Sequence, residues 1–164
     1  LAIGFTRAKG NRKDPVLRGR PRLAEQMGMT RFLLDTGIAA DYINRRRGVY
    51  ERAREAVRRG DRLGIGLPVL AELWYGIEYS STRDRNAAQL RRVLPELIVW
   101  PLTEEAAEAY GRIAAELTRK GRPIGKIDML IAAIALSLGQ TTVVSADSDL
   151  TAVPGLTIEN WARA

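Results

Sequence analysis

Four acidic residues stand beside apolar segments of this sequence in a pattern that could gather them at one place. Asp35 follows a short apolar run, Glu72 interrupts another, Asp128 begins a long apolar segment, and Asp147 follows a further apolar run. Taken alone, Asp35 could begin a turn, Asp128 could cap a helix and Asp147 could lie in a solvated loop. Glu72 is harder to explain, because its helical neighbours include no cation and an unpartnered buried carboxylate is costly.

The residue types that are missing narrow the chemistry of such a site. The chain of 164 residues contains no His and no Cys, which excludes disulfides, thiolate nucleophiles, Ser–His triads and ordinary zinc sites. Carboxylates that lie close together repel, so their pKa values rise unless a cation joins them. Oxygen ligands without His or Cys favour Mg2+ or Mn2+. Such an ion can activate water and neutralise charge on a phosphodiester under attack.

The elements that must position these acids alternate between strands and helices from Met29 onward. This pattern is typical of an α/β fold with a parallel sheet covered on both faces. The predicted strands are Arg31–Asp35, Arg62–Gly66, Leu97–Trp100 and Thr141–Ser145, with a short fifth at Thr157–Asn160. The predicted helices are Ala39–Arg46, Tyr50–Arg59, Pro68–Tyr79, Asp84–Leu94, one from its cap Thr103 to about Lys120, and Ile127–Leu138, which is apolar nearly all round. Because ligands bind at the carboxyl ends of parallel strands, the four acids are expected at one edge of the sheet.

The fourth acid has two candidates in the segment after the fourth strand. Asp147 and Asp149 are two residues apart, and Asp147 is favoured because it lies nearer the strand end. The hydroxyls of Thr36 and Ser145 could hold water or metal, although buried hydroxyls bond to backbone more commonly.

The net charge of +7 is concentrated in the first 28 residues, which carry seven basic and two acidic side chains. Scattered Gly and Pro without an apolar period predict disorder there. This segment is either a basic arm that adds phosphate affinity or sequence upstream of the true start, and the second is favoured because Met29 directly precedes a strand. Residues 29–164 are predicted to form one domain.

No segment resembles a membrane span or a signal peptide. The longest strongly apolar stretch, Met129–Leu138, is far below the roughly 20 residues that cross a bilayer. The first 28 residues lack a continuous apolar core of the kind that a secretory signal needs. A cytoplasmic protein without membrane contact is therefore expected.

The chain resembles the PIN-domain nucleases and, within them, the VapC-type toxins. The resemblance covers Met29 to Trp161 and rests on four segments in order: Phe32–Thr36, Leu70–Ile77, Gly121–Ala133 and Val143–Leu150. It implies a three-layer α/β/α fold with four to five parallel strands. It also implies a metal-dependent endoribonuclease that is the toxin of a type II toxin–antitoxin pair, a homodimer, and neutralisation by a cognate antitoxin. Asp35, Glu72, Asp128 and Asp147 then correspond to the metal-binding and catalytic positions.

Two positions depart from the family pattern. Gly37 stands where Asn is common, and the last segment ends Asp147-Ser148-Asp149-Leu150 instead of Asn-x-x-Asp-Phe. The first departure could loosen the turn after the first strand or remove a polar contact near the metal. The second leaves open which acid is the fourth ligand.

The mechanistic hypothesis is hydrolysis by a metal-activated water, which predicts products with 5′-phosphate and 3′-hydroxyl ends. One alternative is a Mg2+-dependent phosphatase of the haloacid-dehalogenase type, but Gly37 stands where its second Asp would be needed. The other is a non-catalytic PIN domain that only binds RNA or a partner.

Several basic and apolar residues are candidates for contacts with macromolecules. Phosphates could be bound by a group around Asp128, consisting of Arg119, Lys120, Arg122 and Lys126, or this group could be a solvated helix end and loop. The run Arg45–Arg47 could contact RNA or an acidic partner, and a solvated helix end explains it equally well. Apolar residues of the first two helices are expected to be mostly core and partly an antitoxin-binding surface: Ile38, Tyr42, Ile43 and Tyr50.

Overall fold

A five-stranded, wholly parallel sheet forms the centre of the protein. The computed structural model describes residues 28–162, so the predictions for the basic extension lie outside the described residues and stay predictions. The strands are β1 (Arg31–Leu34), β2 (Arg62–Gly66), β3 (Ile98–Trp100), β4 (Thr141–Val144) and β5 (Thr157–Glu159), in the order β3-β2-β1-β4-β5. The predicted parallel sheet is confirmed, including its short fifth strand.

Helices cover both faces of this sheet in the predicted three-layer arrangement. They are α1 (Thr36–Ile43), α2 (Val49–Arg58), α3 (Leu67–Glu78), α4 (Arg83–Val93), α5 (Glu104–Arg119) and α6 (Lys126–Leu138). Two short 3-10 helices follow α4 and β4, at Leu94–Glu96 and Asp149–Ala152. Thr103 caps α5 as predicted, because its hydroxyl accepts from the Ala106 amide at 3.2 Å.

The hydrophobic core explains why these segments fold as they do. All four residues of β1 are buried, as a central parallel strand covered on both faces requires. The middle of α6 is almost fully enclosed, with Ile131–Ala135 at most 2% exposed, so the predicted central buried helix is confirmed. At the far end of the sheet, the buried Arg31 donates to the last carbonyls of α6 at Leu138 and Gly139. A cation is favourable there because carbonyls at a helix end carry partial negative charge.

The strand order creates a crevice at the carboxyl edge of the sheet. The chain moves outward from β1 to β2 and β3, then returns across the sheet to β4 on the other side of β1. In open α/β sheets, ligands bind where the strand order reverses in this way. Leu34 is level with both Ile65 and Val144, so the residues that follow these three strands emerge together.

The first helix differs from its prediction. The sequence pattern predicts Ala39–Arg46, whereas α1 spans Thr36–Ile43. It begins earlier because Asp35 caps it directly after β1, and it ends earlier because Arg45 and Arg47 both have φ of +52°, which is incompatible with a continuing helix. The third helix also begins one residue earlier than predicted, at Leu67, with Pro68 in its first turn.

No helix within residues 28–162 has the length and apolar character that crossing a membrane requires.

Candidate active site

Asp35 stands at the carboxyl end of β1 and is held by two donors. Its Oδ1 accepts from the Ile38 amide at 2.7 Å, which caps α1, and its Oδ2 accepts from the Ser145 hydroxyl. The side chain is therefore fixed from both sides of the crevice. Burial raises the pKa of this carboxyl above its ordinary value, the two hydrogen bonds oppose that shift, and the charge of Asp147 adds to it.

The segment after β4 brings Ser145 and Asp147 next to Asp35. Ser145 is 2% exposed, and besides donating to Asp35 its hydroxyl accepts from the Asp147 amide at 2.9 Å. Asp147 itself is exposed, and its Oδ1 accepts from the Asp149 amide at 2.8 Å. Polar contacts therefore hold this turn, in which Asp147 is exposed and Asp149 begins the following 3-10 helix.

Glu72 reaches the same edge from the second turn of α3. Its Oε2 accepts from the hydroxyl of Thr36, the residue directly after Asp35. Glu72 is half-buried and lines a cleft of about 480 Å³ between α1, α3 and α4. Glu72 therefore has both a hydrogen-bond partner and an opening to a cleft, which avoids the cost of burying an unpartnered carboxylate.

Asp128 is the third residue of α6, so it lies in the first turn of the helix and not at the capping position before it. The cap residue is Gly125, and no side chain caps this helix. The ordinary explanation of Asp128 as a capping residue is therefore wrong, although an acid in the first turn still interacts favourably with the helix dipole. The Asp128 carboxylate folds back over Gly125, because a Cβ on Gly125 would lie 2.6 Å from Asp128 Oδ2.

The negative charges of the other three acids act on the carboxyl group of Asp128. Its pKa is raised, first by burial and then by the negative charges of three neighbours, Asp147, Asp35 and Glu72, with Asp149 contributing less. These side chains come from four different segments of the chain, and their mutual repulsion shows that they share one electrostatic environment.

The donor chemistry of this cluster fits a hard divalent cation. All the polar groups are carboxylate or hydroxyl oxygens, the ligands that Mg2+ and Mn2+ prefer, and a cation would relieve the repulsion that raises the pKa of Asp128. Within residues 28–162, no three acidic side chains converge tightly enough to hold an ion in their present rotamers. Asp35 and Glu72 instead accept from Ser145 and Thr36, so the hydroxyls hold these two carboxylates in the crevice.

Thr36 and Ser145 have a role in this site that the sequence pattern does not predict. Backbone groups are the commoner partners of buried hydroxyls. Thr36 instead donates to Glu72, 36 residues away, and Ser145 donates to Asp35, 110 residues away. The only signal in the sequence is that both directly follow or end a strand at the same sheet edge as the acids. A general preference of buried hydroxyls for backbone partners could not reveal it.

The basic residues around Asp128 lie on the surface between α5 and α6. All four are exposed, and Lys120 Nζ pairs with Glu116 at 2.5 Å. Lys126 is the first residue of α6 and therefore lies nearest in sequence to Asp128. A phosphate-binding role for Arg119, Lys120, Arg122 and Lys126 stays a prediction.

The apolar residues named on the first two helices are mostly core, as predicted, and an antitoxin-binding surface there stays a prediction. Ile38, Tyr42 and Ile43 are at most 8% exposed, so they belong to the core and offer little surface. Tyr42 instead donates its hydroxyl to Glu96, and Tyr50 packs on its ring. Large exposed apolar side chains occur elsewhere in the described part of the chain, most of all at Tyr75 and Tyr79 on α3.

Comparison with known proteins agrees with this architecture. Residues 32–156 match the model of the PIN domain family. The chain is 32% identical to ribonuclease VapC2 of Rickettsia felis, over 80% of this chain and 98% of that protein. It is 36% identical to the tRNA(fMet)-specific endonuclease VapC of Shigella flexneri, over 82% of this chain and all of that protein.

Solved structures of toxin–antitoxin complexes have the same fold. The DNA-bound VapBC complex of Salmonella typhimurium contains a chain with a TM-score of 0.75 and 34% identity, covering 82% of this chain and 100% of that chain. VapBC2 of Rickettsia felis, bound to a DNA fragment from its promoter, gives a TM-score of 0.74 at 30% identity, covering 80% of this chain and 99% of that chain. The haloacid-dehalogenase alternative is not favoured by these similarities. The chain belongs to the PIN domain family and, within it, to the VapC-type ribonucleases of toxin–antitoxin pairs.

Proposed function

We propose that this protein is an endoribonuclease that hydrolyses RNA phosphodiester bonds with a divalent cation, Mg2+ or Mn2+, held by Asp35, Glu72 and Asp128 and completed by Asp147. The observation that carries the proposal is that separate segments bring these acids to one edge of the sheet, where Ser145 holds Asp35 and Thr36 holds Glu72. The negative charges of Asp147, Asp35 and Glu72 also act on Asp128 and raise its pKa. Asp147 is preferred to Asp149 as the fourth acid because its charge acts on both Asp35 and Asp128.

In this mechanism the protein supplies position and charge. A bound divalent cation makes water a better nucleophile and offsets negative charge on the phosphodiester. Ser145 fixes the Asp35 carboxylate and Thr36 fixes Glu72, so neither acid needs to be ordered when the substrate arrives. Because the attacking group is water, the products are expected to have 5′-phosphate and 3′-hydroxyl ends. Attack by the RNA's own hydroxyl would leave 2′,3′-cyclic phosphates.

The proposed substrate is a structured RNA, with tRNA as the first candidate. Two relatives of this chain, from Salmonella typhimurium and Shigella flexneri, are named tRNA(fMet)-specific endonucleases. Arg119, Lys120, Arg122 and Lys126 would bind substrate phosphates on the α6 side of the acids. The RNA would be met in the cytoplasm.

The proposed partners are a cognate antitoxin and a second copy of this chain. The similar solved structures are described as VapBC complexes or as toxin–antitoxin complexes. The proposal therefore includes neutralisation by a protein antitoxin, with a homodimer as the toxin assembly.

The deciding experiment compares RNA cleavage by the wild type and by Asp128→Asn, each with Mg2+ and with EDTA. The wild type is expected to cleave only with Mg2+, and the variant to lose activity by at least about 100-fold, because one charged ligand is lost from a crowded site. The matched control is Glu108→Gln, which removes an exposed charge on α5 and is expected to cleave normally. Sequencing RNA ends after induction would test target and end chemistry together.

Two outcomes would contradict the proposal. Full activity of Asp128→Asn would place the reaction elsewhere. A wild type that binds tRNA without cutting any RNA in Mg2+ or Mn2+ would support the non-catalytic alternative.

A further inference from the structure

The turn between α1 and α2 uses its three consecutive arginines in three different ways. Arg45 lies over the ring of Tyr50, with its guanidinium carbon 4.5 Å from the ring centroid. Arg47 Nε donates to the nearly buried Asp41 at 2.7 Å. Arg46, between them, has no carboxylate partner among residues 28–162 and lines the same cleft as Glu72 and Thr36.

The backbone of this turn is held in a strained form on both sides of Arg46. Arg45 and Arg47 both have φ of +52°, in the left-handed region that non-glycine residues rarely adopt. The turn is fastened by the Arg46 amide, which donates to the Asp41 carbonyl at 2.8 Å, and by the Asp41–Arg47 pair. Strain of this kind persists only where the surrounding contacts determine it, and it is often found at functional sites.

A second unpaired arginine faces this turn from α4. Arg83 pairs with Glu78, and Arg91 stacks on Trp74, whereas Arg85 has no carboxylate partner in the described part of the chain. Arg85 and Arg46 line one cleft together, and that cleft shares Asn86 and Gln89 with the one that contains Glu72. A groove therefore runs from Glu72 to the guanidinium groups of Arg46 and Arg85.

The amide side chains in this groove offer acceptors to a ligand. Gln89 Nε2 donates to the Ile43 carbonyl at 3.0 Å, and Asn86 Nδ2 donates to Ser80 and Thr82 at 3.0 Å. Since the nitrogens are engaged, each amide has its oxygen left for a donor such as an N–H of a base. Guanidinium groups for phosphates and amide oxygens for bases are together the chemistry of a nucleotide subsite.

We propose that Arg46 and Arg85 form a phosphate-binding subsite for the RNA strand that leaves the acidic centre past Glu72 along this groove. The inference rests on the proposed function, because the scissile phosphate is what brings a polyanion to the acids. A strand continuing past Glu72 would reach positive charge at Arg46. The free amide oxygens of Asn86 and Gln89 favour RNA as the occupant, because bases have N–H donors for them and the carboxylate side chains of an acidic peptide have none.

The test measures binding of a fluorescein-labelled RNA hairpin in EDTA at several salt concentrations, together with cleavage in Mg2+. The variants are Arg46→Gln, Arg85→Gln and the double variant. Each single variant is expected to weaken binding and to reduce the slope of log K against log salt by about 0.7, the value for one lost contact to a single strand. The double variant is expected to reduce the slope by about 1.4, for two lost contacts. Arg46→Lys keeps the charge and is expected to retain the slope, which a merely structural role of the arginine would not predict.

The matched control is Arg58→Gln, which removes an exposed charge on α2 and is expected to leave the slope unchanged. If the wild type cleaves RNA but the double variant binds with the wild-type slope, the subsite is wrong and the nuclease proposal stands. If the slopes change as expected but the wild type does not cleave, the subsite is supported and the nuclease proposal fails. Unchanged RNA binding with weaker antitoxin binding would overturn the subsite and assign the groove to the protein partner.

Discussion

At the carboxylate of Asp128, burial and the charges of neighbouring acids act in the same direction. Both disfavour the ionised form in the folded protein, so its pKa is raised. In the unfolded chain this carboxyl has the ordinary Asp pKa of about 3.9, so as pH rises it loses its proton at lower pH than it does in the folded protein. Stability is therefore lost as pH rises from that value through the raised pKa, and the deficit persists at neutral pH.

Replacing Asp128 by Asn should consequently stabilise the metal-free protein at pH 7. The expected increase in Tm is small, on the order of 2 °C, because the side chain is partly exposed and its place in the first turn of α6 favours a negative charge. The difference should shrink as pH falls below the ordinary Asp pKa of about 3.9, where the carboxyl is protonated in both the folded and the unfolded protein. Thermal unfolding in EDTA would measure it, with Glu108→Gln as the control. A lower Tm than wild type at pH 7 would contradict the prediction.

Ser145 acts in the opposite sense on Asp35. Its hydroxyl donates to the carboxylate and lowers the Asp35 pKa against the effect of burial. Ser145→Ala should raise that pKa further, so the acid limb of the pH–activity profile moves to higher pH. The rate at neutral pH should fall on the order of 10-fold, because the hydrogen bond that positions the Asp35 carboxylate is lost. Ser148→Ala, an exposed hydroxyl in the same loop, serves as the control. An unshifted acid limb would show that the hydrogen bond does not govern Asp35.

Among the secondary-structure elements, the amino end of α6 has the tightest steric requirement near the site. Gly125 has φ of −56° and ψ of 144°, which any residue can adopt, yet a Cβ there would lie 2.6 Å from Asp128 Oδ2. Glycine is therefore required at this position because any side chain would push the Asp128 carboxylate out of its position. The backbone conformation itself does not require glycine.

Gly125→Ala should displace Asp128 and reduce RNA cleavage by at least about 10-fold, with little effect on the cooperativity of unfolding. Gly111→Ala is the matched control. Gly111 lies inside α5 with open space at its Cβ position, so alanine there should raise stability by about 0.5–1 kcal/mol and leave activity unchanged. Comparing activity and Tm of the two variants separates a local displacement from a general effect. Normal cleavage by Gly125→Ala would show that Asp128 tolerates another position.

For the whole molecule, the cluster of acids couples cation binding to stability. An ion that binds only the folded state stabilises it, by about 1.4 kcal/mol at ten times its Kd, which corresponds to about 3–6 °C in Tm for a protein of this size. Mg2+ is therefore expected to raise the Tm of the wild type relative to EDTA. The shift should be lost in Asp35→Asn. An equal shift in that variant would mean that Mg2+ binds elsewhere.

The sequence by itself determined the class of fold and the kind of chemistry. Apolar runs at Phe32–Leu34 and Val143–Val144 are too short for buried helices, so they predict strands, and the absence of His and Cys leaves carboxylates as the reactive groups. The bounds of β2 were predicted correctly. The bounds of α1 were wrong, because the contact by which Asp35 caps this helix leaves no trace in the apolar periodicity of the sequence.

Only the tertiary structure decided how the acids are held and which arginines are free. Ser145 reaches Asp35 across 110 residues of sequence and Thr36 reaches Glu72 across 36, and such pairings depend on the strand order β2-β1-β4. Arg45, Arg46 and Arg47 are identical side chains in a row, yet one stacks on Tyr50, one pairs with Asp41 and one faces the groove. The role of each arginine depends on the residues that the fold places beside it, and residue type and spacing in the sequence do not specify those neighbours.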